Sequence, residues 1–297
     1  MGRGASRSGD DVTGASPRLL IVNADDYGLT RGISLGIIRG HREGIVTSTS
    51  VLAVGPAFGS AAAWLDDAPD LGIGAHLCAV GEDPPLLTAA EIPTLVDGRG
   101  RFARSWRTLV ARLAAKRIDP ADLRAEFSAQ LSALSDLGRP ISHVDTHQHI
   151  HMWPDVARVV VELAARSEIG AIRVPRSRRR TPVGIGVRRL ARGLERRSAH
   201  ADLAMTGTMA GLDEAGTLEA PAIAQVLGAL AADLASSAEI VVHPGESDDP
   251  ERERYRWGFA WSAELAALTS RSVADLVAQR GFTLATYDDL RSQTSQS

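Results

Sequence analysis

Residues 19–28 read LLIVNADDYG, an apolar run that passes into polar side chains. The uninterrupted apolar half predicts a strand buried on both faces, as the strands of parallel sheets are. Thr30 then fits the N-cap of a helix that runs to about Arg42. A buried strand followed directly by a helix is the repeating unit of α/β folds. We therefore expect the polar groups of this stretch to lie at the C-terminal end of the first strand of such a fold.

The same alternation continues along the chain. Further strands are predicted at residues 45–51, 71–76, 141–147, 171–174, 239–243 and 282–284. Further helices are predicted at residues 57–66, 104–116, 121–137, 218–234 and 263–279, with one more beginning near residue 154. This order predicts one α/β domain, a TIM-like (β/α) barrel that is regular or distorted, with its active site at the C-terminal ends of the strands. An open doubly wound sheet would place its site at the same ends and is the alternative.

The domain is predicted to span residues 18–291, between a flexible N-terminal tail (1–17) and a C-terminal tail (292–297). The N-terminal tail lacks the apolar core of a signal peptide. Cys78 is the only cysteine, so no disulfide can form within the chain. These features predict a cytoplasmic protein. Residues 80–104 form a loop longer than ordinary connections, which indicates a functional or mobile segment.

Composition excludes several classes of protein. The 297 residues include 44% apolar and 23% charged residues, which is typical of a globular protein and not of a disordered or fibrous one. No apolar run approaches the ~20 residues needed to span a bilayer, so no integral membrane segment is expected. With 33 basic against 36 acidic residues the net charge is −3, which argues against a general nucleic-acid binder.

Carboxylates and histidines stand at the predicted strand ends. The pair Asp25-Asp26 could divide labour, one carboxylate binding a cation and the other moving a proton. The alternative is a turn in which an aspartate caps the next helix. His76 and His243 each end an apolar strand, and either could instead be a hydrogen-bonded structural histidine.

Residues 143–151 read HVDTHQHIH and give the strongest local signal. Four of the eight histidines fall within these nine positions. If the run is extended, His143, Asp145, His147, His149 and His151 share one face, because strand side chains repeat every two residues. Imidazole is the commonest metal ligand, and a nearby carboxylate can fix its tautomer. We expect one or two of these histidines to bind an ion directly, the alternative being a set of surface histidines.

Together these groups suit metal-assisted hydrolysis of an amide or ester. One carboxylate and two imidazoles leave positions on a divalent cation for water and substrate. The metal would lower the pKa of that water and polarise a carbonyl. A second carboxylate would then serve as base, and a separate imidazolium would protonate the leaving group.

The motifs resemble those of the YdjC-like (ChbG/HpnK) carbohydrate deacetylase family. The resemblance covers roughly residues 18–291 and is carried by residues 21–28, 44–49, 74–76, 143–154, 242–245, 281–284 and 289–290. It implies a (β/α) barrel related to polysaccharide deacetylases, which removes N-acetyl groups from amino-sugar compounds. Tyr27 departs from the chitooligosaccharide members, which carry Phe there. Either a chitooligosaccharide-like or a hopanoid-linked glycan is therefore implied as substrate.

The resemblance also implies roles for particular residues. Asp26, His76 and His147 match the family's metal triad, for Mg²⁺ or Zn²⁺. Asp25 matches the general base that takes a proton from the metal-activated water, and His243 matches the general acid that protonates the departing amine. The metal would stabilise the oxyanion.

Other interpretations stay open at this point. The chain could be a different metal-dependent hydrolase, such as a phosphoesterase, or a catalytically inactive carbohydrate-binding relative. Between Arg173 and Arg197 lie ten arginines opposed only by Glu195. They form either a solvated helix face or an anion site, for a phosphorylated or nucleotide-linked sugar or an acidic membrane surface. A homodimer is an open option, and the sequence does not determine the oligomeric state.

Overall fold

The computed structural model describes residues 18–294, within which eight strands form one sheet. The strands are β1 (Arg18–Tyr27), β2 (Ser48–Val51), β3 (Gly72–Leu77), β4 (His143–Thr146), β5 (Ala171–Ile172), β6 (Thr208–Ala210), β7 (Ser237–Val242) and β8 (Phe282–Leu284). Their order is β5-β4-β3-β2-β1-β7-β6, with β8 paired to the first half of β1, and every pairing is parallel. All strand C-termini therefore meet at one edge.

Helices connect these strands. They are α1 (Arg31–Arg42), α2 (Phe58–Ala61), α3 (Trp106–Ala114), α4 (Pro120–Ser135), α5 (Pro154–Arg166), α6 (Pro182–His200), α7 (Ala220–Ala232), α8 (Trp261–Leu268), α9 (Arg271–Gln279) and α10 (Tyr287–Thr294). Short 3₁₀ segments lie at Ala62–Leu65, His147–Met152 and Pro250–Arg254. Thr30 caps α1, as the sequence predicts, by accepting a hydrogen bond from the Ile33 amide. No helix among these is long and apolar enough to cross a bilayer.

The predicted α/β architecture is confirmed, in its distorted form. The sheet curls like part of a barrel, but its end strands β5 and β6 share no ladder within residues 18–294. A single bridge joins Ala171 of β5 to Ala204, which lies four residues before β6. The fold is thus a curled parallel half-barrel with helices around it.

Several elements differ from the sequence expectation, and helices α6 and α10 are not among the predicted helices. Strand β6 (Thr208–Ala210) is likewise not among the predicted strands. The helix predicted at residues 263–279 is two helices, since Ser270 accepts a hydrogen bond from the Val273 amide and begins α9 there. Helix α10 continues past residue 291 into the predicted C-terminal tail. The N-terminal tail lies outside the described residues, so the domain division stays a prediction.

Alternation along β1 determines which side chains face the interior of the curled sheet. Leu20, Val22 and Ala24 belong to the main core beneath the helices. Ile21 instead packs with Tyr287 of α10 in a separate buried cluster. Because strand side chains alternate, Asn23 and Asp25 share the inner face with Ile21. The interior is apolar next to α10 and becomes polar towards the C-terminal edge.

Candidate functional site

An irregularity in β1 presents both adjacent aspartates to the C-terminal edge. Ala24 pairs with Thr49 and Tyr27 pairs with Val51, so β1 carries one more residue than β2 over this stretch. Asp26 lies inside this bulge with a left-handed φ of 71°. A bulge re-aims side chains that a regular strand would send to opposite faces. This local geometry lets Asp25 and Asp26 approach the same histidine.

The structure brings Asp26, His76 and His147 together. Asp26 Oδ1 lies 3.1 Å from His147 Nδ1 and 3.4 Å from His76 Nε2. One ligand atom from each residue lies within 4.8 Å of the others. The three residues come from the C-terminal ends of β1, β3 and β4, as the sequence analysis expects.

These distances suit a shared divalent ion. Two ligand atoms that each lie about 2.1 Å from one ion, at angles of about 90–110°, are about 3.0–3.4 Å apart. Asp25, His76 and Asp145 form a second possible group. However, Arg173 pairs with both of its carboxylates, which leaves Asp26, His76 and His147 as the better-suited set.

The surroundings of Asp26 and His76 stabilise the charged forms of both side chains. Burial alone would raise the pKa of Asp26, but hydrogen bonds and charge interactions with His147 and His76 hold it well below its usual value. Burial would lower the pKa of His76, but the Asp145 and Asp25 carboxylates raise it to about 10. The site therefore favours positive charge, as a cation site does.

Asp145 orients His76. Its Oδ1 lies 2.5 Å from His76 Nδ1, so the imidazole donates there and turns Nε2 towards Asp26. Ser50 Oγ donates to Asp145 Oδ2 at 2.7 Å and holds the carboxylate in place. A carboxylate behind a histidine ligand fixes its tautomer and raises its basicity.

We expect Asp145→Asn to lower metal affinity about 10- to 100-fold, because the amide cannot fix the His76 tautomer as the carboxylate does. Isothermal titration of the metal-stripped protein with Zn²⁺ and Mg²⁺ measures this change, with Asp136→Asn at an exposed position as the control. An unchanged affinity in a folded Asp145→Asn variant would show that Asp145 does not support a metal ligand.

Arg173 is the site residue that sequence reasoning missed. We assigned it to the arginine cluster, but its side chain is fully buried. Its guanidinium bonds Asp25 through Nη1 and Nη2 at 2.8 and 2.7 Å. It also reaches Asp145 Oδ2 at 2.6 Å and Glu239 Oε1 at 2.8 Å. The position directly after the apolar pair Ala171-Ile172 was the available signal, since neighbouring strands end there in site residues.

One carboxylate oxygen of Asp25 accepts fewer hydrogen bonds than the other. Oδ1 accepts from both Asn23 Nδ2 (2.8 Å) and Arg173, whereas Oδ2 accepts from Arg173 alone and lies 4.0 Å from His76 Nε2. Oδ2 thus has capacity to accept a further proton or hydrogen bond beside the candidate cation site.

His243 follows β7 on the other side of β1. Ala24 pairs with Val242, so the next residues, Asp25 and His243, lie side by side near the C-terminal ends of β1 and β7. The His243 amide donates to Glu264 Oε2 at 2.6 Å, and its ring meets Phe259 edge-on at 4.8 Å between centroids. Within residues 18–294 its Nδ1 has no hydrogen-bond partner. The ring therefore has hydrogen-bonding capacity that no described protein group uses.

The histidine run is extended only as far as Thr146. Gln148 and His149 have left-handed φ angles of 52° and 53°, so the chain turns away after His147. His151 bonds Thr146 Oγ1 and the Arg173 carbonyl instead. Only His147 of the run joins Asp26 and His76.

Two loops meet over the site. The segment at residues 80–104, expected to be functional or mobile, packs Ile92 into the core and contributes Glu82 and Asp83 to the rim. Trp257 Nε1 donates to Glu82 at 3.4 Å, and its ring centroid lies 5.3 Å from that of His147. Asp83 accepts a hydrogen bond of 2.9 Å from the Tyr255 hydroxyl. These contacts join residues 82–83 to residues 255–257 beside His147. His147 and His243 are each only 8% exposed.

Comparisons with known proteins agree with this geometry. A family model described as YdjC-like protein matches residues 19–279. The chain is 31% identical to a chitooligosaccharide deacetylase of Proteus mirabilis (strain HI4320), over 92% of this chain and 98% of that protein. It is 36% identical to a carbohydrate deacetylase of Brevibacillus brevis over 49% of this chain, and this match spans about half (55%) of the relative.

A solved structure shares the fold. The crystal structure of a protein from Enterococcus faecalis V583, provisionally described as a cellobiose-phosphate cleavage protein, matches with a TM-score of 0.77 at 26% identity. The match covers 93% of this chain and 99% of that one. The half-barrel and its C-terminal edge are thus an architecture already seen by crystallography.

Proposed function

This chain belongs to the YdjC-like family, and from that premise we propose that it is a metal-dependent deacetylase that hydrolyses the N-acetyl group of an amino-sugar compound. The observation that carries the proposal is that Asp26, His76 and His147 lie close enough together to bind one ion. Asp25 and His243 lie at the same C-terminal edge of the sheet, on the neighbouring strands β1 and β7. Carbohydrate deacetylases among the relatives support the substrate class.

In this proposal Asp26, His76 and His147 hold the divalent ion. When bound, such an ion lowers the pKa of water and polarises a carbonyl oxygen. Two imidazoles in the donor set favour Zn²⁺ over Mg²⁺, which prefers oxygen ligands. Reconstitution of the metal-stripped protein with each ion in turn tests this preference through the turnover that each restores.

Asp25 and His243 move the protons. Asp25 Oδ2 accepts a proton from the attacking water, while two hydrogen bonds from Arg173 keep the carboxylate oriented. His243 donates a proton to the nitrogen that leaves as the acetyl carbon–nitrogen bond breaks. The products are acetate and the free amino sugar, so one water is consumed for each acetyl group released.

The phosphoesterase alternative receives no support from the arginines. Arg173 is the arginine that reaches the site, and its guanidinium already bonds Asp25, Asp145 and Glu239. The remaining arginines of the cluster lie between β5 and β6, on α6 and the loop before it. Within residues 18–294, Arg173 is therefore the one arginine of the cluster that bonds site carboxylates, and it is already paired with three of them.

Acetate release is the direct test of the proposed activity. N-acetylated chitooligosaccharides, an acetylglucosaminyl hopanoid and phosphate monoesters would be offered to the metal-loaded protein. We expect acetate from one of the acetylated substrates and no phosphate from the monoesters. Phosphate release without acetate release would replace the proposal by its alternative, and binding without turnover would favour an inactive carbohydrate-binding protein.

For His243→Gln we expect kcat to fall about 10²- to 10⁴-fold, because a positioned proton donor contributes that much. KM and the metal content should change little, since His243 lies outside the ligand triad. Steady-state acetate release and metal analysis measure both. His200→Gln at an exposed position is the matched control. A variant with parental kcat would remove His243 from the mechanism.

A further inference from the structure

We propose that the beginning of α6, with the loop before it, is a surface that binds anionic lipid membranes. We call this surface the α6 tip and define it by Arg178, Arg180, Val183, Ile185 and Arg189. Apolar side chains and unpaired arginines are exposed there together. The inference concerns a surface away from the metal triad and does not depend on the deacetylase proposal.

The apolar part of the α6 tip is unusually open to solvent. Val183 and Ile185 are 65% and 57% exposed, in the first turn of a 19-residue helix. Trp106, across the adjacent cleft, is 38% exposed and carries the Arg107 guanidinium 4.7 Å above its ring. Tryptophan and aliphatic side chains next to basic ones are typical of helices that lie in a membrane interface.

The basic part of the surface is not neutralised. Six exposed arginines have no ion pair to any carboxylate within residues 18–294: Arg178, Arg180, Arg189, Arg192, Arg196 and Arg197. Nearby, Arg176 pairs with Glu195 at 2.6 Å and Arg179 pairs with Asp213 at 3.5 Å, so these two carboxylates are already engaged. The whole chain has a net charge of −3, and this concentration of positive charge is therefore local.

The spacing on α6 places charge of one sign along one face. Ile185, Arg189, Arg192 and Arg196 follow at intervals of three or four residues, which line up on a helix. Solvated helix faces usually interleave acidic and basic residues that stabilise one another. A row of arginines that begins in an exposed isoleucine instead suits a negatively charged surface with an apolar layer below it.

A cleft opens beside the same tip. It has a volume of about 650 Å³ and lies between α3, α6 and the 3₁₀ segment after β4. Its walls are mainly apolar and include Val183, Val187 and Met152. Gln148 and His149, which follow His147, also line it. A membrane held at the α6 tip would therefore lie beside a cleft that is lined in part by the two residues that follow His147.

The exposed apolar side chains and the unpaired arginines together favour an anionic lipid surface over nucleic acid. A phosphate backbone would be bound by the arginines alone, because exposed Val183 and Ile185 add nothing to phosphate contacts. Anionic lipid uses both, since basic residues pair with headgroups while apolar side chains enter the acyl boundary. The two parts can therefore be separated by substitution.

Vesicle sedimentation tests the proposal with the full chain. We expect binding to phosphatidylcholine–phosphatidylglycerol vesicles and little binding to phosphatidylcholine alone. Arg178→Ala/Arg180→Ala should lower the partition coefficient about 25-fold, because each arginine near an anionic surface contributes a factor of about five. Val183→Ser/Ile185→Ser should lower it about tenfold through lost insertion. All four positions are exposed, so the melting temperature should stay at the parental value.

The matched control is Arg271→Ala/Arg280→Ala, which removes two exposed charges near the ends of α9 and should leave partitioning unchanged. Equal binding to neutral and anionic vesicles would overturn the proposal, as would an equal loss in the control. Binding that is insensitive to Val183→Ser/Ile185→Ser and is displaced by single-stranded DNA would assign the surface to polyanions and overturn it too. Acetate release from a soluble substrate should not change in any of these variants.

Discussion

Asp26→Asn is expected to abolish metal binding and to lower kcat/KM for acetate release by about a thousandfold. Asp26 supplies the oxygen that lies between the two histidine nitrogens, at 3.1 and 3.4 Å. An amide oxygen carries no charge to offset a divalent ion in a buried site. Loss of the ion removes several kcal/mol of transition-state stabilisation, and about 4 kcal/mol corresponds to a thousandfold.

Asparagine is the appropriate replacement because the backbone at this position is left-handed. Asn tolerates a φ of 71° better than Ala, so the bulge should persist. Metal analysis after dialysis and steady-state acetate release measure the two effects. Asp275→Asn, at a side chain that is 58% exposed, makes the same chemical change away from the site. If Asp26→Asn retained full metal content and full activity, both the ligand assignment and the mechanism would fail.

Arg173→Met is expected to destabilise the fold by about 3–5 kcal/mol, because removing one partner of a buried ion pair leaves uncompensated charge. Here Asp25, Asp145 and Glu239 would all lose their cation. Methionine keeps much of the side-chain volume, so the effect is mainly electrostatic. At about 2–4 °C per kcal/mol, the melting temperature should fall by about 10 °C.

The matched control is Arg189→Met, an exposed arginine without an ion pair among the described residues, which should change stability by less than about 0.5 kcal/mol. Urea unfolding and thermal melts measure both variants. A loss below about 1 kcal/mol for Arg173→Met would mean that the three carboxylates find other compensation, such as protonation or water. Acetate release should also fall, because Asp25 would lose the group that orients it.

The strand ends could be predicted from the sequence because apolar runs and the polar residues that close them are local patterns. In this way Asp26, His76 and His147 were expected at one edge, and the structure brings them together. Their roles as ligands, and those of Asp25 and His243, stay predictions until metal and activity are measured. The cytoplasmic location also stays a prediction.

Arg173 could not be assigned to the site from the sequence, because it is one of many arginines in the same stretch of the chain. It begins a run of arginines whose other members are mostly exposed, and a side chain's direction at the end of a two-residue strand depends on tertiary contacts. The bulge at Asp25–Asp26 was equally hidden, since the same residues make good turns. Gln148 and His149 have left-handed backbone angles that turn the chain away after His147. Neither residue is a glycine, so the sequence does not indicate this turn.

The pairing of β1 has a consequence for synthesis on the ribosome. Leu19 lies beside Ser237 of β7 and also beside Thr283 of β8, both translated long after it. The nascent chain must therefore keep β1 only partly paired while most of the polypeptide emerges. Contacts so distant in sequence slow folding and prolong the exposure of an apolar strand edge. Cells that make this protein would accordingly gain from a chaperone that shields residues 19–24 during translation.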